Sequence, residues 1–96
     1  MSYFSKIRLW AKEKNILDKG DIKTQYIKLQ EESGELAQAI LKNDKEEIKD
    51  AVGDMVVVLT SISYFGGFMI EEAIESAYNE IKNRKGKIIN NTFVKK

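Results

Sequence analysis

Hydrophobic residues recur every three or four positions through most of the chain, which is the spacing of an amphipathic α-helix. A first helix is predicted over Ser2–Ile16, and after a break at Leu17–Gly20 a second is predicted from about Ile22 to Leu41. A third is predicted over Lys45–Phe65 and a fourth from Met69 to about Arg84. The pattern therefore predicts an all-α fold with a four-helix bundle-type subunit.

Polar residues and glycines mark the ends of these predicted helices. Ser2 and Asp21 are suitable N-caps for the first and second helices. Gly66 and Gly67 end the third helix. Beyond the fourth helix, the sequence KGKIINNTFVKK predicts a short tail or hairpin that turns at Asn90–Asn91.

The third predicted helix is apolar nearly all the way round its middle. Its three consecutive valines, Val56–Val58, favour a strand when taken alone, but the length of the segment and its helical periodicity favour a helix. A helix with this pattern needs apolar neighbours on every side, so we expect it to be central and the chain to form a homo-oligomer. One apolar face runs through Ile48, Val52, Met55, Leu59 and Ile62.

The composition of the chain excludes several kinds of site and partner. The 96 residues fit a single domain spanning 1–96, and a net charge of +1 makes nucleic acid an unlikely partner. The chain has neither cysteine nor histidine, so disulfides, thiolate or imidazole metal ligands and Ser-His-Asp catalysis are excluded. No signal-peptide pattern and no apolar run of membrane-spanning length is present, so a cytoplasmic protein with no membrane contact is expected.

Acidic residues form two groups with helical spacing. Glu32 and Glu35 lie one turn apart on the second predicted helix, and Glu32 is expected to face inward more than Glu35 does. Asp50 and Asp54 share a side of the third helix, where Asp54 is expected to be at least partly buried. An antiparallel hairpin of the two helices would bring these acids together, and a hard cation such as Mg²⁺ would offset their repulsion.

Two other interpretations of these acids remain open. They are either solvated surface charges or structural partners of Lys28, Lys49 or Arg84. Acidic groups on both helices, with Glu32 and Asp54 bordering apolar surface, favour the metal site.

The segments KLQEESGELAQAI and EIKDAVGDMVVVL resemble the MazG family of the all-α NTP pyrophosphohydrolase superfamily. Glu31, Glu32 and Glu35 fit the first motif of that family, E-E-x-x-E, as they stand. The second motif, E-x-x-D before an apolar stretch, departs from the pattern because Ala51 stands three residues before Asp54. The remaining metal ligand is then either Asp50, which we prefer, or Glu47.

The resemblance implies a Mg²⁺-dependent enzyme, with Mn²⁺ as an alternative, that hydrolyses nucleoside or deoxynucleoside triphosphates to the monophosphate and pyrophosphate. It also implies a homodimer or homotetramer. Glu31 or Glu35 would position the attacking water. The implied metal ligands are Glu32, Glu35, Asp50 and Asp54, and the implied groups for phosphate or sugar are Lys28, Asn79, Lys82 and Arg84.

Other functions compete with this prediction. A non-catalytic helical oligomerisation module would keep the fold, and a related enzyme would act on a different nucleotide. A nucleic-acid-binding protein would use the basic run KNRKGK, but one short basic run on a nearly neutral chain gives this function little support. Trp10, the only tryptophan, suits stacking on a base, but its place on a helix stripe favours a role in the core.

Overall fold

A computed structural model describes all residues, 1–96, and 71% of them are helical. The all-α prediction is therefore confirmed, with one addition: a four-residue helix occupies most of the segment predicted as a break. The elements are α1 (Tyr3–Glu13), α2 (Ile16–Lys19), α3 (Ile22–Leu41), α4 (Lys45–Phe65), α5 (Ile70–Ile81), β1 (Gly86–Ile89) and β2 (Thr92–Lys95).

Three of the helices begin at side-chain caps. The Asp21 carboxylate accepts a hydrogen bond of 2.8 Å from the backbone N–H of Thr24, and Ser2 caps α1 in the same way. Asp44 caps α4 by accepting from the N–H of Glu47 at 3.1 Å. Each cap satisfies a backbone donor that has no partner within the first turn of its helix.

Helices α3 and α4 form the central helical hairpin. The connection between them is short and contains Asn43, whose φ of 55° lies in the left-handed region that asparagine tolerates. The short connection makes the two helices antiparallel neighbours. Small buried residues, including Ala39 and Ala51, line the packed helices and allow a close approach.

The buried faces differ from the predicted stripes. On α3, Ile22, Tyr26 and Ile40 are largely exposed, whereas Glu32 and Ala39 are buried. The expectation that Asp54 is partly buried is wrong, since it is exposed. The third predicted helix is also not covered on every side, because α4 leaves apolar side chains open to solvent. A single chain has too few elements to cover both sides of the central hairpin.

The chain is more open than a compact monomer of its size. Its radius of gyration is 15.7 Å, against about 12.5 Å expected for 96 residues. Its accessible surface is 7553 Å², against about 5,600 Å² expected for a protein of 11.0 kDa. Much of the excess is apolar, because many large hydrophobic side chains remain exposed.

Helix α5 contributes strongly to this openness. It leaves the end of α4 after a turn at Gly66–Gly67, and the two helix axes are bent by 100°. The guanidinium of Arg8 on α1 donates two hydrogen bonds, of 2.6 and 2.7 Å, to Glu71 in the first turn of α5 and so anchors that turn. The apolar stripe along the rest of α5 is exposed, at Ile74, Tyr78 and Ile81.

The C-terminal segment is the predicted hairpin. Strands β1 and β2 pair antiparallel, with Ile89 opposite Thr92, and Asn90 and Asn91 form the two-residue turn. Their φ angles of 52° and 64° fit a type I′ turn. The predicted fourth helix is shorter than expected, because it ends at Ile81 rather than near Arg84.

None of the helices alone has the length and apolar content of a membrane span. Helices α4 and α5 reach that length and composition only when taken together across their bend.

Candidate active site

Three carboxylates from the two central helices converge at one place. Glu32 and Glu35 lie one turn apart on α3, and the antiparallel packing of α4 brings Asp54 beside them. One carboxylate oxygen from each lies within 4.8 Å of the other two. This spacing suits oxygen ligands that surround one cation.

Glu32 is the buried member of this acidic cluster, which comprises Glu32, Glu35 and Asp54. Its side chain is only 8% exposed, and its Oε2 atom has no hydrogen-bond partner. The other oxygen, Oε1, lies 3.5 Å from the Nζ of Lys28. A buried carboxylate oxygen without a partner is costly, so it needs a compensating group that this chain does not supply.

Lys28 is shared between two acids and is half exposed. Its Nζ lies 3.5 Å from Glu31 as well as from Glu32. The charge of Glu31, and then that of Glu32, raises the pKa of Lys28. One shared ammonium leaves the acidic cluster with an excess of negative charge, because Glu35 and Asp54 form no ion pair.

A polar cavity of about 290 Å³ opens beside the acidic cluster. Asp50 lies on its wall with Glu35 and Asp54, although its carboxylate is not within the three-oxygen cluster. Glu47 also reaches the cavity, but it is paired with Lys42 at 3.6 Å, whereas Asp50 has no such partner. Of the two candidates for the remaining ligand, Asp50 is therefore the one with a free carboxylate. The lining residues are Glu35, Gln38, Lys42, Glu47, Asp50, Ala51 and Asp54.

Glu31, one of the two residues predicted to position water, lies outside the acidic cluster. Its side chain is 60% exposed and faces Lys28. Glu35, the other candidate, is in the cluster and on the cavity wall. The geometry thus separates two glutamates that the sequence motif treats alike.

A second cavity, of about 360 Å³, also adjoins the acidic cluster. Asp54 lines both cavities, and Glu32 lines this one. Most of this wall was not predictable from the sequence, because the place of Trp10 on a helix stripe favours the core and the polar residues of α3 form no motif. The lining residues are Trp10, Ile16, Thr24, Gln25, Lys28, Glu32, Asp54, Val57, Val58 and Ser61.

The basic and amide groups predicted near the end of α5 do not reach the acidic cluster of the same chain. About 16 Å of helix separates Asp54 from Phe65, at a rise of about 1.5 Å per residue. Helix α5 starts beyond that end and runs at 100° to α4, and Asn79 lines a different cavity. Lys82 and Arg84 follow α5 and line neither cavity of the acidic cluster.

The donor set fits a hard divalent cation. All candidate ligands are carboxylate oxygens, which Mg²⁺ and Mn²⁺ accept, and the partnerless Oε2 of Glu32 marks where positive charge is missing. The alternative in which the acids are structural ion pairs is poorly supported, since of Lys28, Lys49 and Arg84 only Lys28 forms an ion pair.

The fold and the site define a small all-α protein with a candidate metal centre of carboxylate oxygens at a helical hairpin. A family model described as the MazG nucleotide pyrophosphohydrolase domain matches residues 21–89. The chain therefore belongs to the MazG family. That family depends on a divalent metal and acts on nucleoside triphosphates.

The chain is also similar to an uncharacterized 18.2 kDa protein in the rep-hol intergenic region of Haemophilus phage HP1 (strain HP1c1). The two are 39% identical over 57 residues, which is 59% of this chain and 35% of the phage protein. The chain thus spans only about a third of the length of that relative. No solved structure matches the chain significantly.

Proposed function

We propose that the protein hydrolyses nucleoside or deoxynucleoside triphosphates, with Mg²⁺ or Mn²⁺, to the monophosphate and pyrophosphate. The observation that carries the proposal is the acidic cluster, in which the buried Glu32 leaves one oxygen without a partner. Family membership supports the reaction class, and the cavity beside the cluster leaves room for phosphates.

The proposed roles of the acidic residues follow from how buried each one is. Glu32 is fixed by packing and, with Asp54 and Asp50, would hold the metal. A bound divalent ion supplies charge neutralisation for the phosphates and lowers the pKa of its bound water. Exposed Glu35 would both bind the metal and orient the attacking water from the cavity side.

The proposed hydrolysis consumes water and the triphosphate and needs no other reactant. Water attacks the anhydride between the α and β phosphates, the bridging P–O bond breaks, and pyrophosphate leaves. Glu35 accepts the proton of the water and returns it to solvent. Lys42, on the wall of the same cavity, would offset phosphate charge if its pair with Glu47 opens.

We infer that the working form is a homo-oligomer, at least a homodimer. The chain exposes about 1,900 Å² more than a compact monomer of its mass, whereas a standard interface buries about 800 Å² per partner. The excess includes the apolar stripe of α5 and the outer face of α3. A second copy is a suitable partner for these surfaces, because two-fold assemblies are the commonest closed oligomers.

The phosphate donors predicted on and after α5 require this assembly. Asn79, Lys82 and Arg84 lie away from the acidic cluster of their own chain. We propose that they bind the triphosphate at the acidic cluster of a partner subunit. Lys28 alone among the predicted donors adjoins the acids within one chain.

Pyrophosphate release tests the proposed reaction. The protein is incubated with the common NTPs and dNTPs, with Mg²⁺ and with a chelator, alongside Glu35→Gln. Release should require the metal and should fall sharply in Glu35→Gln, while Glu46→Gln, an exposed glutamate outside both cavities, should stay active. Release that Glu35→Gln leaves unchanged would refute the mechanism. No release with any substrate would favour the non-catalytic oligomerisation module.

A further inference from the structure

We propose that the cavity lined by Trp10 is the nucleobase subsite, in which the indole ring stacks on the base of the nucleotide. The proposal rests on the proposed function, because it assigns the part of the substrate that the acidic cluster does not hold. This cavity will be called the Trp10 cavity.

The position of the Trp10 cavity suits a nucleotide. Asp54 lines both this cavity and the polar cavity, so the two adjoin at the acidic cluster. A triphosphate held at the acids would therefore place its nucleoside on the side of Glu32. A volume of about 360 Å³ lies within the range of pockets that hold small ligands.

The chemistry of the walls suits a flat heterocycle. Trp10 is 45% exposed and forms no aromatic pair within the chain, so its ring is free to stack. Ile16 and Val57 add aliphatic surface. Stacking on an aromatic ring is favourable for every nucleobase, because every base has a π face.

The same cavity offers two uncommitted polar side chains for the edge of a base, the more exposed Gln25 and the buried Ser61. The side chain of Gln25 takes part in none of the hydrogen bonds of the chain, and its amide carries both donors and an acceptor. Its neighbours are already engaged: the Thr24 hydroxyl donates to Asp21 at 3.0 Å, and Lys28 pairs with acids. Gln25 is the group proposed to contact the polar edge of the base, because its side chain is longer and more exposed than that of Ser61.

Part of this wall lies outside the segment matched by the family model. That match covers residues 21–89, whereas Trp10 and Ile16 precede it on α1 and α2. The proposed subsite thus uses residues that family membership alone does not assign.

Fluorescence tests the subsite without any hydrolysis. Trp10 is the only tryptophan, so the intrinsic emission of the full chain reports on this cavity. Nucleoside monophosphates, titrated without metal, should quench the emission in a saturable way. Tripolyphosphate, which has no base, should not do so. Quenching by both, or by neither, would overturn the assignment.

Steady-state kinetics tests the same residue in the active protein. Trp10→Leu should raise KM for the preferred triphosphate about 10-fold, the loss expected for one base stack, and change kcat by less than about twofold. The KM of Trp10→Phe should lie between those of the unaltered protein and Trp10→Leu, because phenylalanine keeps an aromatic ring. Tyr3→Leu, an exposed aromatic on the same helix that lines neither cavity, should match the unaltered protein.

The outcomes separate the subsite from the reaction. Saturable quenching in a protein that releases no pyrophosphate would uphold the base subsite and refute the proposed hydrolysis. Pyrophosphate release without quenching, and with KM unchanged in Trp10→Leu, would do the reverse. If circular dichroism shows that Trp10→Leu is unfolded, the Trp10→Phe kinetics and the quenching of the unaltered protein decide the question.

Discussion

The α3–α4 hairpin and the C-terminal region from α5 to β2 differ in how much each can do within one chain. The hairpin buries small side chains against each other and brings acids from two helices to within 4.8 Å. The C-terminal region buries almost nothing: after Ile70, no residue of α5 or of the two strands is buried.

The acidic cluster of the hairpin and the segment that follows α5 also differ in charge. The three carboxylates of the acidic cluster have only Lys28 as a cationic partner, whereas the charged side chains of segment 82–96 are all basic. A negative site with missing donors and a positive segment with missing contacts are complementary, but they lie apart in one chain. This difference is consistent with the proposal that one subunit supplies the metal ligands and that the phosphate donors come from its partner.

Removing a proposed metal ligand from the hairpin should reduce activity more than any other change. Glu32→Gln should reduce pyrophosphate release more than about 100-fold, because losing a ligand should cost more than the 10- to 100-fold typical of outer-shell groups. The neighbouring substitution Glu31→Gln should reduce pyrophosphate release less than about threefold, since Glu31 is exposed and paired with Lys28. Equal losses in the two variants would place the metal elsewhere.

Thermal melting provides a readout of the same variants that does not depend on activity. Mn²⁺ at about 100 times its dissociation constant should stabilise the native protein by about 2.7 kcal/mol, and so raise its melting temperature clearly. Glu32→Gln should lose this rise. Without metal, it should be at least as stable as the native chain, because it removes a buried charge whose Oε2 has no partner.

The next effect concerns assembly through α5. Tyr78→Glu places a charge in the exposed apolar stripe and should shift the protein to the monomer mass of 11.0 kDa in light scattering. Ser76→Glu adds the same charge on the opposite side of α5 and should leave the oligomer intact. A native protein that is already a monomer at micromolar concentration would contradict the inferred assembly.

A smaller effect is expected from the donors that follow α5. Arg84→Gln should raise KM about 10-fold, the size of one charge-assisted contact, with metal stabilisation unchanged. Mixing Arg84→Gln with Glu35→Gln subunits should yield more activity than the two proteins give separately, because some sites then combine an intact acid set with an intact donor. If the subunits exchange and mixing gives no gain in activity, the donors act at the acidic cluster of their own chain.

The fold was predictable where local sequence determines it. The caps at Ser2 and Asp21 and the Asn90–Asn91 turn depend on neighbouring residues only, and all three are present. The end of α1 was less predictable, because Asn15 adopts a left-handed φ of 63° within an otherwise helical pattern. Hydrophobic periodicity does not indicate such a one-residue break.

The candidate site was predictable only in part, because only some of its features depend on residues close together in the sequence. The spacing of Glu32 and Glu35 on one helix is local, and the convergence of Asp54 follows from the short hairpin. The exposure of Asp54 and the opening beside Trp10 depend on how helices distant in sequence pack. Periodicity predicts an apolar side of a helix, but not whether another subunit is needed to cover it.

A weaker effect is expected from the Arg8–Glu71 ion pair, which joins α1 to the start of α5 and so anchors the C-terminal region to the rest of the chain. The hydrogen bonds from Arg8 lower the pKa of Glu71 below the ordinary glutamate value of about 4.3. The pair therefore stabilises the fold above that value, and the contribution is lost as the pH falls through the lower folded pKa. Arg8→Gln should melt slightly below the native protein at pH 7, and the gap should close at acidic pH and narrow in high salt. Lys12→Gln removes an exposed cation from the last turn of α1 that has no ion pair, so any gap that it causes through the helix dipole should not close as Glu71 is protonated. A gap of Arg8→Gln that persists at low pH would mean that Arg8 acts through packing instead.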